Sequence, residues 1–115
     1  MADDGRSAGE TAEIRRLRRR IDALDRKLVA LLNERASLAR EAGRAKTAAG
    51  RTAIRDLERE REVLLRVSIA NEGPMPQADL LALYRRLFVA TRGLERQDRE
   101  RDRARARRER GDEPT

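Results

Sequence analysis

Apolar residues recur in steps of three and four from Ile14: Leu17, Ile21, Leu24, Leu28 and Leu31 follow, and the series resumes with Leu38 and Ala42. That spacing marks one face of an α-helix. It predicts a first helix from about residue 13 to Lys46 or slightly beyond. About 34 residues at 1.5 Å each give a rod of ~50 Å, longer than a single small chain covers. Such a helix wants a partner along its whole length. Arg35 occupies the next position of the series after Leu31, so a permanent charge sits where a core leucine belongs.

Gly50 and Thr52 in "TAAGRTA" end the first helix and open a turn. A second helix is predicted over roughly Ile54 to Asn71, with Leu57, Leu64 and Val67 on one face. "NEGPMPQAD" brings Gly73, Pro74 and Pro76 together, a firm break. A third helix starts near Gln77, and Leu80, Tyr84, Leu87, Thr91 and Leu94 form its stripe. Residues 1–12 read as a disordered lead-in, 13–96 as one helical domain, and 97–115 as a charged tail, a frayed helix or disordered. The fold class is all-α. Three helices from one chain cover a ~50 Å helix poorly, whereas two chains wrapped around each other cover it, so an intertwined homodimer is expected.

Composition narrows the chemistry. The 115 residues include no Cys and no His, and Tyr84 and Phe88 are the only aromatics. Disulfides and thiol chemistry are absent, which fits a reducing cytoplasm. The commonest metal ligand and the commonest neutral-pH base are absent too, so neither metal nor cofactor is expected. No stretch resembles a membrane span or a signal peptide. The net charge of +7 lies mainly in the body, since the first 13 residues are acidic and the tail mixes both signs. A basic body suggests an anionic partner, and charge alone does not say which.

Most of the 28 basic residues need only a solvated helix face. Those that interrupt apolar stripes are more informative. Pattern alone leaves Arg35 open: it either snorkels from the seam edge or faces an anion. Lys46 lies eleven residues on, nearly the same face, with Cα atoms ~16 Å apart. It equally suits the C-terminal end of a helix as a simple dipole partner. Asp56, Arg59 and Glu60 stand at i, i+3 and i+4, side by side near a helix start. Thr91 sits within the third stripe, where it could simply bond back to its own helix, and Glu95 follows Leu94. Taken together, cations on inner faces imply a bound anion.

The stretch "LRRRIDALDRKLVALLNERASLAREAGRAK", followed by "IRDLERERE" and "LYRRLFVATRGLE", resembles the all-helical (AroQ-type) chorismate mutases over about residues 14 to 95. The I-D-x-L-D run, the E-R step, the G-x-x-K ending and R-D-x-x-R-E occur in family order. Ala42 replaces the usual branched residue before Gly43. The resemblance implies an intertwined dimer of three-helix chains that converts chorismate to prephenate by a [3,3] sigmatropic rearrangement. Such a reaction needs no nucleophile and no metal. It needs a folded substrate and charge placed at the breaking C–O bond.

Carried over by position, Arg35 binds a substrate carboxylate through its fork, and Lys46 binds carboxylate and ether oxygen. Asp56 and Glu60 hold the ring hydroxyl, and Arg59 with Thr91 the ring carboxylate region. Arg18 matches the family arginine supplied by the other subunit. Its 28-residue separation from Lys46, ~42 Å along one helix, agrees with that. Thr91 stands where Ser is frequent, and Glu95 where many members carry Gln and some Glu. On the same fold, isochorismate-pyruvate lyase and aminodeoxychorismate mutase are the alternatives. A basic helical nucleic-acid-binding dimer is the rival of another class, disfavoured because its cations alternate with acids and few aromatics are available for stacking. The expected partners are thus chorismate and a second copy of the chain, with docking to another shikimate-pathway enzyme also open.

Overall fold

The structure is a computed structural model that describes residues 9–111. Among them are three α-helices and no strand: α1 (Ala12–Ala48), α2 (Leu57–Ala70) and α3 (Gln77–Glu109). The all-α class is as the periodicity requires. None of these helices is long and apolar enough to cross a membrane. The chain divides into two compact units, Met1–Ser37 and Leu38–Thr115.

In the first unit Thr11 opens α1: its Oγ1 accepts the Ile14 N–H at 3.1 Å, and its carbonyl accepts the Arg15 N–H. This is an N-cap that satisfies donors the helix leaves unpaired. Of the expected lead-in, residues 1–8 lie outside the described residues. Just before the helix, the Glu10 carboxylate takes the Arg18 guanidinium at 2.9 Å. The apolar series is exposed within the chain, with Leu24 62% and Leu31 61% accessible. Arg35, by contrast, is half-buried.

In the second unit the last turn of α1 closes in a Schellman motif. Gly50 has φ +81°, its N–H meets the Thr47 carbonyl at 3.0 Å, and the Arg51 N–H meets the Lys46 carbonyl at 2.8 Å. The second helix begins at Leu57, later than its apolar pattern predicts, because Asp56 takes the N-cap and its Oδ1 accepts the Arg59 N–H at 3.0 Å. Asn71 ends it, and the Asn71 Oδ1 accepts the Gly73 N–H in the turn that leads through Pro74 and Pro76 into α3.

The core of this unit is small. Phe88 is its one buried apolar side chain among the described residues, edge-on to Tyr84 with ring centroids 6.4 Å apart. Leu64 and Val67 of α2 and Leu80 and Leu87 of α3 are half-buried, while Leu57 is exposed. Ion pairs supplement this core: Arg92 meets Glu60 at 2.5 Å between α3 and α2, and Arg40 meets Asp98 between α1 and α3.

The second of these pairs corrects the picture of the tail. Helix α3 does not fray after Arg96 but continues to Glu109. Asp98 is 9% accessible and receives two hydrogen bonds from Arg40, at 3.0 and 2.7 Å. Arg99 adds a bond to the Thr52 carbonyl. These long-range ties hold the helix where its sequence offers little apolar surface to bury.

Gly50 is required for its backbone conformation alone, since nothing lies within 4 Å of a Cβ built there. Gly50→Ala is expected to cost about 1–2 kcal/mol, read as a lower urea midpoint at one fixed protein concentration with an unchanged slope.

Candidate functional site

Lys46 is delivered by the last turn of α1, whose Schellman closure ties its own carbonyl to Arg51. The side chain is half-buried and carries its charge close to two carboxyls, Asp56 and Glu95, each biased toward ionisation by it. A cation between two acids at a helix terminus is the centre of the candidate site.

Asp56 is held on more than one side. The Arg59 backbone N–H donates to Oδ1, and Arg51 approaches Oδ2 at 3.5 Å. The carboxyl lies below its ordinary pKa: that backbone hydrogen bond lowers it most, burial opposes it as the next largest effect, and Lys46 and then Arg51 lower it further. It stays ionised and offers Oδ2 as an acceptor.

Glu95 is the opposite case. It lies over Gly43: a Cβ built on that glycine would meet the Glu95 Cγ at 3.2 Å and Cδ at 3.3 Å. The absent side chain at Gly43 is the space the glutamate occupies. Burial there raises the Glu95 pKa from its ordinary value, and the neighbouring Asp98 raises it further, while Lys46, Arg99 and Arg92 pull the other way. The net is a carboxyl biased toward its neutral, hydrogen-bond-donating form.

Glu60 projects from the first turn of α2 to Arg92 at 2.5 Å and to Arg55 at 3.5 Å. Thr91 Oγ1 donates to the Leu87 carbonyl at 2.9 Å, so this hydroxyl bonds back to its own helix. The Arg59 side chain is turned away and pairs with Glu62 at 3.0 Å on an exposed surface. The second unit thus assembles Lys46, Asp56 and Glu95, with Glu60 joined through Arg92, and leaves the Arg59 guanidinium outside. Arg18, paired with Glu10, and Arg35 belong to the first unit. Among the described residues no group of three or more acidic side chains could hold a metal ion.

Sequence reasoning missed Arg92, Arg51, Arg40 and Asp98. Arg92 was hidden because it is next to Thr91 yet off the apolar stripe. A pattern search sees stripes, whereas Arg92 reaches Glu60 by its length. Arg40 and Gly43 carried a usable signal: they share a helix face at i, i+3 with Thr47 at i+7, facing Asp98 and Glu95, also i, i+3. A cleft of about 230 Å³ opens on this face, lined by Arg40, Arg44, Thr47, Glu95, Asp98 and Arg99 among others.

The pattern of the family described as chorismate mutase type II matches residues 17–96. The bifunctional chorismate mutase/prephenate dehydratase of Aquifex aeolicus (strain VF5) is 38% identical over 88 residues, 73% of this chain and 24% of that protein. That of Escherichia coli (strain K12) is 53% identical over 51 residues, 44% of this chain and 13% of that protein. The chain spans about a quarter or less of the length of these curated relatives. The structure of the chorismate mutase of Thermus thermophilus in its form II superposes with a TM-score of 0.69 at 34% identity, covering 73% of this chain and 94% of that one. The family match reaches all three helices and includes Lys46, Asp56, Glu60 and Glu95. The chain belongs to the chorismate mutase type II family.

Proposed function

We propose that the chain is a chorismate mutase, an isomerase that converts chorismate to prephenate, and that it works as a homodimer. The observation that supports this most directly is the proximity of Lys46 to Glu95, a cation near a carboxyl whose burial favours the neutral form. In the rearrangement the ether C–O bond breaks as a C–C bond forms, and negative charge grows on the ether oxygen. An ammonium and a protonated carboxyl are two donors suited to that oxygen, and they act most strongly when charge develops. Asp56, ionised and capping α2, accepts from the ring hydroxyl, with Glu60 beside it on the next turn. Arg35 takes one substrate carboxylate. Thr91 and Arg59 serve the ring carboxylate region, Arg59 after exchanging its bond to Glu62 for the substrate.

The exposed stripe of α1 supports the dimer. Side chains such as Leu24, Leu28 and Leu31, each more than half accessible in the single chain, are covered by a second copy, which brings its Arg18 to the site. The same reading includes docking to another shikimate-pathway enzyme, since relatives join chorismate mutase and prephenate dehydratase in their names and in one chain.

Chorismate consumption followed in the ultraviolet is the direct test. Lys46→Ala is expected to lower kcat roughly a hundredfold or more, on the order of 3 kcal/mol of transition-state stabilisation; near-wild-type turnover would reject the assignment. Glu95 is useful when protonated and its pKa is raised, so kcat falls as pH rises through that pKa. Glu95→Gln, whose amide donates at any pH, flattens the profile; a profile identical to wild type argues against the donor role.

Supply of Arg18 in trans is tested by mixing. Arg18→Ala and Lys46→Ala are each expected to be nearly inactive. Unfolded and refolded together in equal amounts, they recover about a quarter of wild-type activity, because half the dimers are mixed and each has one intact site. No recovery in a mixture shown to contain mixed dimers rules out the shared site.

A further inference from the structure

The Arg40–Asp98 pair lies one helical turn from the Gly43–Glu95 contact. Each step of three residues back along α1, from Gly43 to Arg40, is matched by a step of three forward along α3, from Glu95 to Asp98. The two contacts are successive rungs between antiparallel helices. The ion pair is bidentate, and the longer Arg44–Asp98 approach at 4.0 Å reinforces it.

An ion pair is a costly way to join two helices, because an apolar pair of similar volume holds them as well without desolvating charge. What the bidentate fork adds is a fixed direction and a fixed pattern of charge. Both matter at Glu95, one turn away. The pair faces the 230 Å³ cleft on the flank of Gly43 formed by Arg40, Arg44 and Thr47. Lys46 projects from the other flank of Gly43. Arg40 and Asp98 therefore border Glu95 without lying between it and Lys46.

We propose that Arg40 and Asp98 are positioning residues for Glu95: their ion pair holds α3 against the end of α1 so that the Glu95 carboxyl stays over Gly43, and it sets the charge behind that carboxyl. This rests on the reading of Glu95 as a proton-bearing donor to the substrate. The groups facing Glu95 are Lys46, Arg40 and Arg44 from α1, and Arg92, Asp98, Arg99 and Asp102 from α3, with Glu60 and Arg55 of the α2 region behind Arg92. Of these, Asp98 is the anion that favours the neutral carboxyl, in agreement with the upward shift it contributes. Arg40 holds that anion in place and partly offsets its charge.

The two partners therefore have opposite electrostatic effects on Glu95, although both contribute to the same clamp. Asp98→Asn removes the anion and leaves Arg40, so the alkaline limb of the kcat profile moves to lower pH. Arg40→Gln removes the bidentate partner of Asp98 and leaves its charge less offset, so the limb moves to higher pH. At a fixed pH on the limb, the first is expected to be roughly threefold slower and the second roughly threefold faster relative to its own acid plateau. Both plateaus fall several-fold as Glu95 loosens, and KM for chorismate stays within about twofold, because neither residue touches substrate.

Glu95→Gln is measured alongside, together with the double variants Asp98→Asn/Glu95→Gln and Arg40→Gln/Glu95→Gln. Opposite limb movements that vanish in the Glu95→Gln background support the proposal. Limbs that stay in place, or move together, while Glu95→Gln flattens the wild-type profile overturn it and leave the donor reading intact. A limb that survives Glu95→Gln removes the donor reading, and this proposal with it.

Discussion

The constraint behind the rest of the structure is that the apolar stripe of α1 is largely exposed among the described residues. Ile21, Leu24, Leu28 and Leu31 are each more than half accessible. Burial of such side chains is worth roughly 1.5–3 kcal/mol apiece when complete, and a 37-residue helix gains little from propensity alone. Among the described residues Phe88 is the one buried apolar side chain. With so little core among the described residues, that exposed stripe is the surface the proposed homodimer would cover. The length of α1 and the proposed sharing of Arg18 between copies then have one origin.

Where apolar burial is thin, ion pairs take over the joining of helices. Glu60–Arg92 ties α2 to α3, and Arg40–Asp98 ties α1 to α3. Surface pairs contribute little to stability, but these are partly shielded and geometrically well defined, with Arg92 and Glu60 each 16% accessible at the side chain. They leave Lys46, Asp56 and Glu95 together near the end of α1, each fixed by an element of regular structure. Asp56 caps a helix, Lys46 stands in the last turn of another, and Glu95 lies over a glycine of the facing helix. A candidate site on such supports is preorganised, and for the proposed reaction little of its electrostatic effect would be lost to rearrangement.

Helix existence and type were legible in the sequence because a three-four apolar repeat leaves little ambiguity over such lengths. Boundaries were less so. The second helix starts at Leu57 because the Asp56 side chain prefers the cap, a competition that an apolar stripe does not record. The tail departs from its pattern for a related reason. From Gln97 onward there is little to bury, and the periodicity argument equates that with fraying, whereas Asp98 and Arg99 hold α3 through charge and a backbone carbonyl. Family order named the site positions, and the structure gathers Lys46, Asp56 and Glu95. Arg59 lies apart because its neighbour Glu62 competes for the guanidinium.

The contrast between Asp56 and Glu95 carries the chemistry furthest. Both carboxyls face Lys46, yet one is driven toward ionisation and the other away from it. The cation they share cannot be the cause of the difference. It comes from what else each touches: a backbone N–H aimed at Asp56, and for Glu95 the dehydrated surface of Gly43 with an anion behind it. Gly43 is therefore more than a point of close packing. A side chain there would push Glu95 toward water and remove the burial that raises its pKa. The same small residue that admits the glutamate also allows the burial that raises its pKa, so the contact of α1 with α3 and the contrast between the two carboxyls are a single arrangement.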